Sequence, residues 1–206
     1  MKNGLTNEIR AAKEYLDCGQ NKKMYKSGLV VNPAFCWLGA SPDGIIYDLS
    51  MGENLFEIFE AKCPFCGAAK KVIDIIRENK QFYLKQTDNG IKLKENHNYY
   101  YQVQGLMGIT GLKWCDFCVW TGLDFFQQRI MFNQTLWNNM LSKLTNFYFA
   151  HSYTFPTMKG CNFPIINDII PSHYFVVNVL SCEIRPLKQF LSFFWLLVVS
   201  VLYFHR

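Results

Sequence analysis

Apolar residues recur at helical spacing near the start of the chain. Leu5, Ile9, Ala12 and Leu16 fall on one stripe, which predicts a helix over residues 5–17 with Glu8 on it. Gly28-Leu29-Val30-Val31 is then a short apolar run closed by Asn32-Pro33, a turn signal, and residues 35–39 read as another short strand. Ile45-Ile46-Tyr47 follows the turn Ser41-Pro42-Asp43-Gly44, and residues 55–63 return as its partner after a hairpin loop over 48–54.

Helical spacing reappears over 70–78 through Val72, Ile75 and Ile76. Asp88-Asn89-Gly90 marks a turn within 82–93. Residues 99–109 predict a helix packing through Tyr99, Val103, Leu106 and Met107 and stopped by Gly111. Residues 114–121 and 125–132 predict a strand pair, and Asn133 caps a helix running to about Ala150. Helix, strands, helix, strands, helix is the order of an α/β or α+β domain with a central mixed sheet. Beyond His151 the periodicity decays through Pro156, Gly160, Pro164 and Pro171. This divides the chain into a domain over 1–150, an irregular extension over 151–189 and a hydrophobic tail over 190–204.

Composition narrows the class. The 206 residues are half hydrophobic and 17% aromatic, which excludes a disordered chain. The net charge of +5 admits a phosphate-bearing partner without requiring one. Eight cysteines invite a disulfide framework, but MKNGLTNEIRAAKEYL has no apolar core or cleavage site of a secretory signal. An intracellular, reducing setting in nucleus or cytoplasm is expected, with most cysteines as small buried hydrophobes.

The chemistry concentrates between Leu38 and Pro64. Alternation along the strand over 55–63 sends Glu60 and Lys62 to one side with Ile58, and Glu57 to the other, where it is expected on the surface. If the two strands form a hairpin, Asp43 lies beside Glu60 and Lys62. Two carboxylates that close repel unless a cation holds them, and oxygen ligands suit magnesium. Such a cation activates water toward a phosphoryl centre, and Lys62 could orient that water and steady developing negative charge. A half-exposed hairpin with a surface ion pair would use the same residues.

Four linked motifs favour the first alternative. They are Gly4-x-x-x-Glu8 with Ala11-Ala12 and Tyr15; Ala40-Ser41-Pro42-Asp43-Gly44; Glu60-Ala61-Lys62-Cys63-Pro64; and Tyr101-Gln102-Val103-Gln104-Gly105-Leu106-Met107 with Thr110-Gly111 and Trp114-x-Asp116-Phe117. In this order they resemble the YqaJ viral recombinase family, grouped with the phage lambda-type alkaline exonucleases in the PD-(D/E)XK nuclease superfamily. The resemblance covers residues 4–150. It implies a restriction-endonuclease-like core, a mixed sheet flanked by helices. It implies a metal-dependent DNA exonuclease acting on duplex ends in viral or mobile-element recombination. Asp43, Glu60 and the Ala61 backbone carbonyl would bind the metal, Glu8 would be a further or water-mediated ligand, and Lys62 and Gln102 would complete the catalytic set with Asp43 and Glu60. Ser41, Lys70 and Lys71 would meet nucleic acid, with Arg77 and Lys80 near the duplex phosphates. The cofactor would be magnesium or manganese, as two ions. A single-strand annealing recombinase and further copies of the chain would be partners. Relatives carry a segment before Gly4 that helps hold the nucleic-acid end, so weakened end recognition is expected here. The alternative is a catalytically silent DNA-binding or recombination module on the same fold.

Two features stand apart. Cys63-x-x-Cys66 and Cys115-x-x-Cys118 have zinc half-site spacing, but the second pair falls on a predicted strand, where a spacing of three sends side chains to opposite faces. Zinc is not expected. Residues 190–204, FLSFFWLLVVSVLYF, carry no charge. As a helix they would span about 22 Å, short of the roughly 30 Å hydrocarbon core. A membrane anchor, a buried element and an extension foreign to the domain all fit.

Overall fold

The computed structural model describes residues 2–19, 21–35, 37–52, 56–64 and 69–152, and of 2–5 and 151–152 only the backbone. The expectations for 153–206, including the membrane anchor, lie outside the described residues. Among the described residues no helix is long and apolar enough to cross a membrane.

The first helix, α1 (Lys2–Asp17), is turned relative to the predicted stripe. Ile9 is 60% exposed, while Ala11 and Tyr15 are buried against Phe59, Ala61 and Cys118. Small Ala11 lets the helix axis come close to the sheet, and that close approach sets the rotation. Glu8, one turn before Ala11, therefore lies on the sheet-facing stripe.

Strand β1 (Lys22–Tyr25) is not legible in the sequence, because Lys-Lys-Met-Tyr sets two polar residues before two adjacent hydrophobic ones and gives no period-two signal. Strands β2 (Val30–Val31) and β3 (Gly39–Ala40) form a small separate pair. Of the strand predicted over 35–39, Gly39 falls in β3, while Phe35, Trp37 and Leu38 are not in a strand. Asn32 Oδ1 accepts the N–H groups of Ala34 and Phe35, and Leu38 N–H donates to the Phe35 carbonyl, so the segment closes into a turn. Trp37 on this turn stacks on Tyr148, with ring centroids 4.8 Å apart.

β4 (Gly44–Asp48) and β5 (Phe56–Lys62) form the predicted antiparallel hairpin, joined through a 3-10 turn over Leu49–Met51 that Asp48 caps. Then come α2 (Val72–Glu78), a hairpin of β6 (Leu84–Thr87) and β7 (Gly90–Leu93), and α3 (Asn98–Thr110). This long connection returns the chain to β8 (Trp114–Trp120), parallel to β5, as parallel pairing requires. β9 (Phe125–Met131) pairs antiparallel with β8. The main sheet has the order β1-β4-β5-β8-β9 and is mixed, as expected.

The sheet separates two cores. Ile58, Cys115, Phe117 and Val119 face α2, α3 and the β6–β7 hairpin, while Phe59, Ala61 and Cys118 face α1. Cys115 and Cys118 thus sit on opposite sides of β8, both fully buried, and cannot converge on one ion. α3 ends as predicted. Gly111 adopts the left-handed conformation (φ 74°), and its N–H reaches the Met107 carbonyl at 2.7 Å. Asn133 Oδ1 accepts from Leu136 N–H and opens α4 (Gln134–Ser152), which packs on α3. Trp137 lies directly over Gly108, the only residue type that leaves room for its indole.

Candidate active site

The hairpin register pairs Gly44 with Phe59, so Asp43, one residue earlier, falls beside Glu60 and Ala61. Its Oδ2 accepts the Ala61 N–H at 2.8 Å, which pins the Pro-Asp-Gly turn to the end of β5. Ser41 is exposed two residues before it. Glu60 is 2% exposed. Its Oε1 accepts from Lys62 Nζ at 2.5 Å and from Gln102 Nε2 at 2.8 Å. Its Oε2 is buried with no hydrogen-bond partner. Gln102 reaches it from α3, across the sheet face. Lys62 Nζ also lies 4.9 Å from the centre of the Tyr99 ring, one helical turn before Gln102.

Asp43, Glu60, Lys62 and Gln102 are therefore brought together. Glu8 approaches from the other side of the sheet edge, close enough to feel both Asp43 and Lys62, but it does not join the carboxylate pair. Among the described residues no three His, Cys, Asp or Glu side chains converge on one point. Lys70 and Lys71 lie on the approach to α2, both exposed, and Lys70 pairs with Glu78 at 2.5 Å.

The electrostatics follow from burial. Desolvation pushes the Glu60 carboxyl up to about 7, with Lys62 opposing and Asp43 adding to the shift. Asp43 is raised by desolvation too, against the Ala61 N–H and the Lys62 charge. Glu8 is raised by desolvation and then by Asp43, against Lys62. Burial alone would lower the Lys62 ammonium, but Glu60 and then Asp43 outweigh it and hold it above its ordinary value. Desolvation, Glu8 and Asp43 push the Cys63 thiol up to about 11, so it stays protonated at neutral pH. Cys66 lies outside the described residues.

This donor set fits a hard divalent cation. One buried carboxylate oxygen lacks a partner, a second carboxylate stands beside it, and the Ala61 backbone runs between them. Glu60 is destabilised by burial, while Asp43 stands beside it at the solvent boundary, and a cation is what would offset the cost at Glu60.

Gln104, two residues past Gln102, has a different task. It is fully buried, donates to the Met131 carbonyl at 2.9 Å and accepts the Asn133 N–H at 2.8 Å. It ties α3 to the junction of β9 and α4.

Glu57 corrects an expectation. It faces away from Glu60 as alternation requires, but it is fully buried rather than on the surface. Its carboxylate meets Tyr15 Oη at 2.9 Å and Arg129 at 3.2 Å. Asp116, also fully buried, accepts from Tyr15 at 2.7 Å and from Arg129 Nε at 2.9 Å. Lys22 completes the group, 3.8 Å from Glu57 and 3.4 Å from Asp116. Asp48, also buried, lies 4.0 Å from Lys22, so three acids share two cations beneath α1. Sequence reasoning missed this cluster because its members come from six elements, one of them the unpredicted β1. It missed Tyr99 as a neighbour of Lys62 too, although the spacing of three from Gln102 on one helix was a usable signal.

Mixed sheet, α1 on one face, α3 on the other and an acidic pair at the end of the central hairpin together define a nuclease-like fold. LHK-Exo, crystallised in complex with dAMP, superposes with a TM-score of 0.54 at 23% identity, over 75% of this chain and 69% of that one. A second crystal structure, of an alkaline exonuclease (LHK-Exo) from Laribacter hongkongensis, gives a TM-score of 0.46 at 23% identity, over 75% of this chain and 73% of that one. No curated protein matches the chain. The YqaJ-like viral recombinase domain matches residues 1–113, more than half of the 206, and the chain belongs to that family.

Proposed function

We propose that this protein is a divalent-metal-dependent nuclease that hydrolyses phosphodiester bonds of duplex DNA from an end, in viral or mobile-element recombination. The observation that carries this is the state of Glu60. One of its oxygens is held by Lys62 and Gln102, while the other is buried without a partner beside Asp43. A binding module has no use for a buried carboxylate with an unpartnered oxygen set beside a second, exposed carboxylate. Family membership supports the reading, as does the fold shared with LHK-Exo, a protein described as an alkaline exonuclease.

Asp43, Glu60 and the Ala61 carbonyl would hold the cation, magnesium or manganese, with Glu8 as an outer partner. Bound there, it would polarise a phosphoryl oxygen and make water a stronger nucleophile. Asp43 is oriented by the Ala61 N–H and Glu60 by Gln102, so neither carboxylate must reorganise on binding. The Lys62 ammonium, charged at neutral pH, steadies negative charge that develops on the scissile phosphate. Ser41, Lys70 and Lys71 would contact the DNA backbone, so binding would weaken steeply with salt. A single-strand annealing recombinase, further copies of this chain and an intracellular setting belong to the same proposal.

The test is digestion of linear duplex DNA, labelled at one end, with magnesium. Wild type is expected to degrade it. Asp43→Ala, Glu60→Ala and Lys62→Ala are each expected to lose activity by at least about a thousandfold, a typical cost for a charge-stabilising group. Undiminished digestion by these variants would refute the site. An inert wild type that still binds duplex DNA would favour the silent module.

A further inference from the structure

We infer that Tyr99 is a positioning residue that holds the Lys62 ammonium over its ring face. The inference rests on the nuclease reading for its role, and on geometry alone for the contact.

Lys62 Nζ is 4.9 Å from the Tyr99 ring centre and ion-paired to Glu60 Oε1 on its other side. The Lys62 side chain is only 15% exposed, so little water competes for the ammonium. Cation–π attraction is strongest in such a desolvated setting. The ring is itself fixed. Tyr83 meets it edge to face at 4.9 Å and 71°, and His97 does so at 4.9 Å and 63°. The Tyr99 N–H donates to His97 Nδ1 at 3.1 Å, which locks the first turn of α3.

The value of this arrangement lies in what the ring does not take. Glu60 Oε1 already accepts from Lys62 and Gln102. A cation held by Asp43 and Glu60 would draw carboxylate charge away from Lys62. A second holder that competed for the same oxygens would then fail, and a free lysine would swing through its four-carbon stem. A π face supplies attraction without occupying a carboxylate oxygen. Tyr99 and Gln102, one turn apart, thus hold Lys62 and Glu60 from a single helix face, and α3 sets both members of the pair at once.

The experiment compares wild type with Tyr99→Phe, Tyr99→Leu and Tyr99→Met. Phenylalanine keeps the ring face, whereas leucine and methionine keep much of the volume without it. Two readouts are taken: kcat and KM on linear duplex, and the ¹³C–¹H resonance of the Lys62 ε-methylene, assigned by its loss in Lys62→Ala. Ring current is expected to shift that resonance upfield in wild type and Tyr99→Phe, and not in the other two. Tyr99→Phe is expected to stay within about twofold of wild-type kcat, and the aliphatic variants to lose about tenfold in kcat with KM little changed. A Lys62 resonance at the ordinary position in wild type, or unchanged kcat in both aliphatic variants, would overturn the inference. A wild type inert on DNA would instead overturn the nuclease reading, and the resonance would still decide the contact.

Discussion

Glu57 and Glu60 are three residues apart on one strand, yet they are handled in opposite ways. Glu57 is surrounded by Tyr15, Lys22, Arg129 and Asp116, and both its oxygens have partners. Glu60 keeps one oxygen bare. The first environment is a compensated structural network, and the second is the place proposed for a cation. Desolvation, with Asp116 adding, pushes the Glu57 carboxyl up to about 7 from an ordinary value of 4.5. Below about 4.5 the group is protonated in both folded and unfolded chains. Between there and about 7 the folded chain retains a proton the unfolded chain has lost, so stability falls as pH rises and then levels off. Glu57→Gln removes this dependence. The stability of wild type relative to the variant is expected to decline by on the order of 3 kcal/mol across that window, read by urea unfolding at a series of pH values. A difference that stays flat with pH would mean that Glu57 is ionised throughout.

Among the elements, α3 carries the heaviest load. One face presents Tyr99 and Gln102 to the candidate site, and another sends Gln104 to the β9–α4 junction. Its far end is fixed by α4. A Cβ on Gly108 would lie 2.2 Å from Cδ2 of Trp137, and the indole is 6% exposed with nowhere to retreat. Gly108→Ala is expected to cost about 2–3 kcal/mol despite the higher helix propensity of alanine. Trp137→Leu in the same chain should recover part of that cost, which a double-mutant cycle on urea midpoints would measure. Additive losses would show that the two residues do not meet. The hairpin of β4 and β5 is the other working element, since its register alone sets Asp43 against Ala61.

For the whole molecule, the proposed cation links binding to stability. A ligand that binds only the folded state stabilises it by about 2.7 kcal/mol at a hundred times its Kd. Magnesium is therefore expected to raise the melting temperature of wild type by several degrees, chelation to reverse the rise, and Asp43→Ala and Glu60→Ala to show none of it. An equal rise in these variants would put the cation elsewhere. The measurement needs no DNA, so it separates metal binding from catalysis.

The sequence alone determined the elements whose signal is local. Helical period marked α2, α3 and α4, alternation marked β4, β5, β8 and β9, and cap and turn residues such as Asn133, Gly111 and the Pro-Asp-Gly turn set their limits. It also made Asp43, Glu60, Lys62 and Gln102 legible as a set, because two lie on one strand face, one begins the paired strand and the fourth belongs to a linked motif. Only the tertiary structure decided what depends on contact between distant segments. It turned α1 so that Ala11 rather than Ile9 meets the sheet, formed β1 from a largely polar segment by pairing it with β4, and brought the Leu38 N–H onto the Phe35 carbonyl. It buried Glu57 with Asp116 by bringing Lys22 and Arg129 to them. Period and propensity report which side of an element is apolar. They carry no record of which charges from elsewhere will stand opposite a buried acid, and that is what separates Glu57, whose oxygens both have partners, from Glu60, which keeps one without.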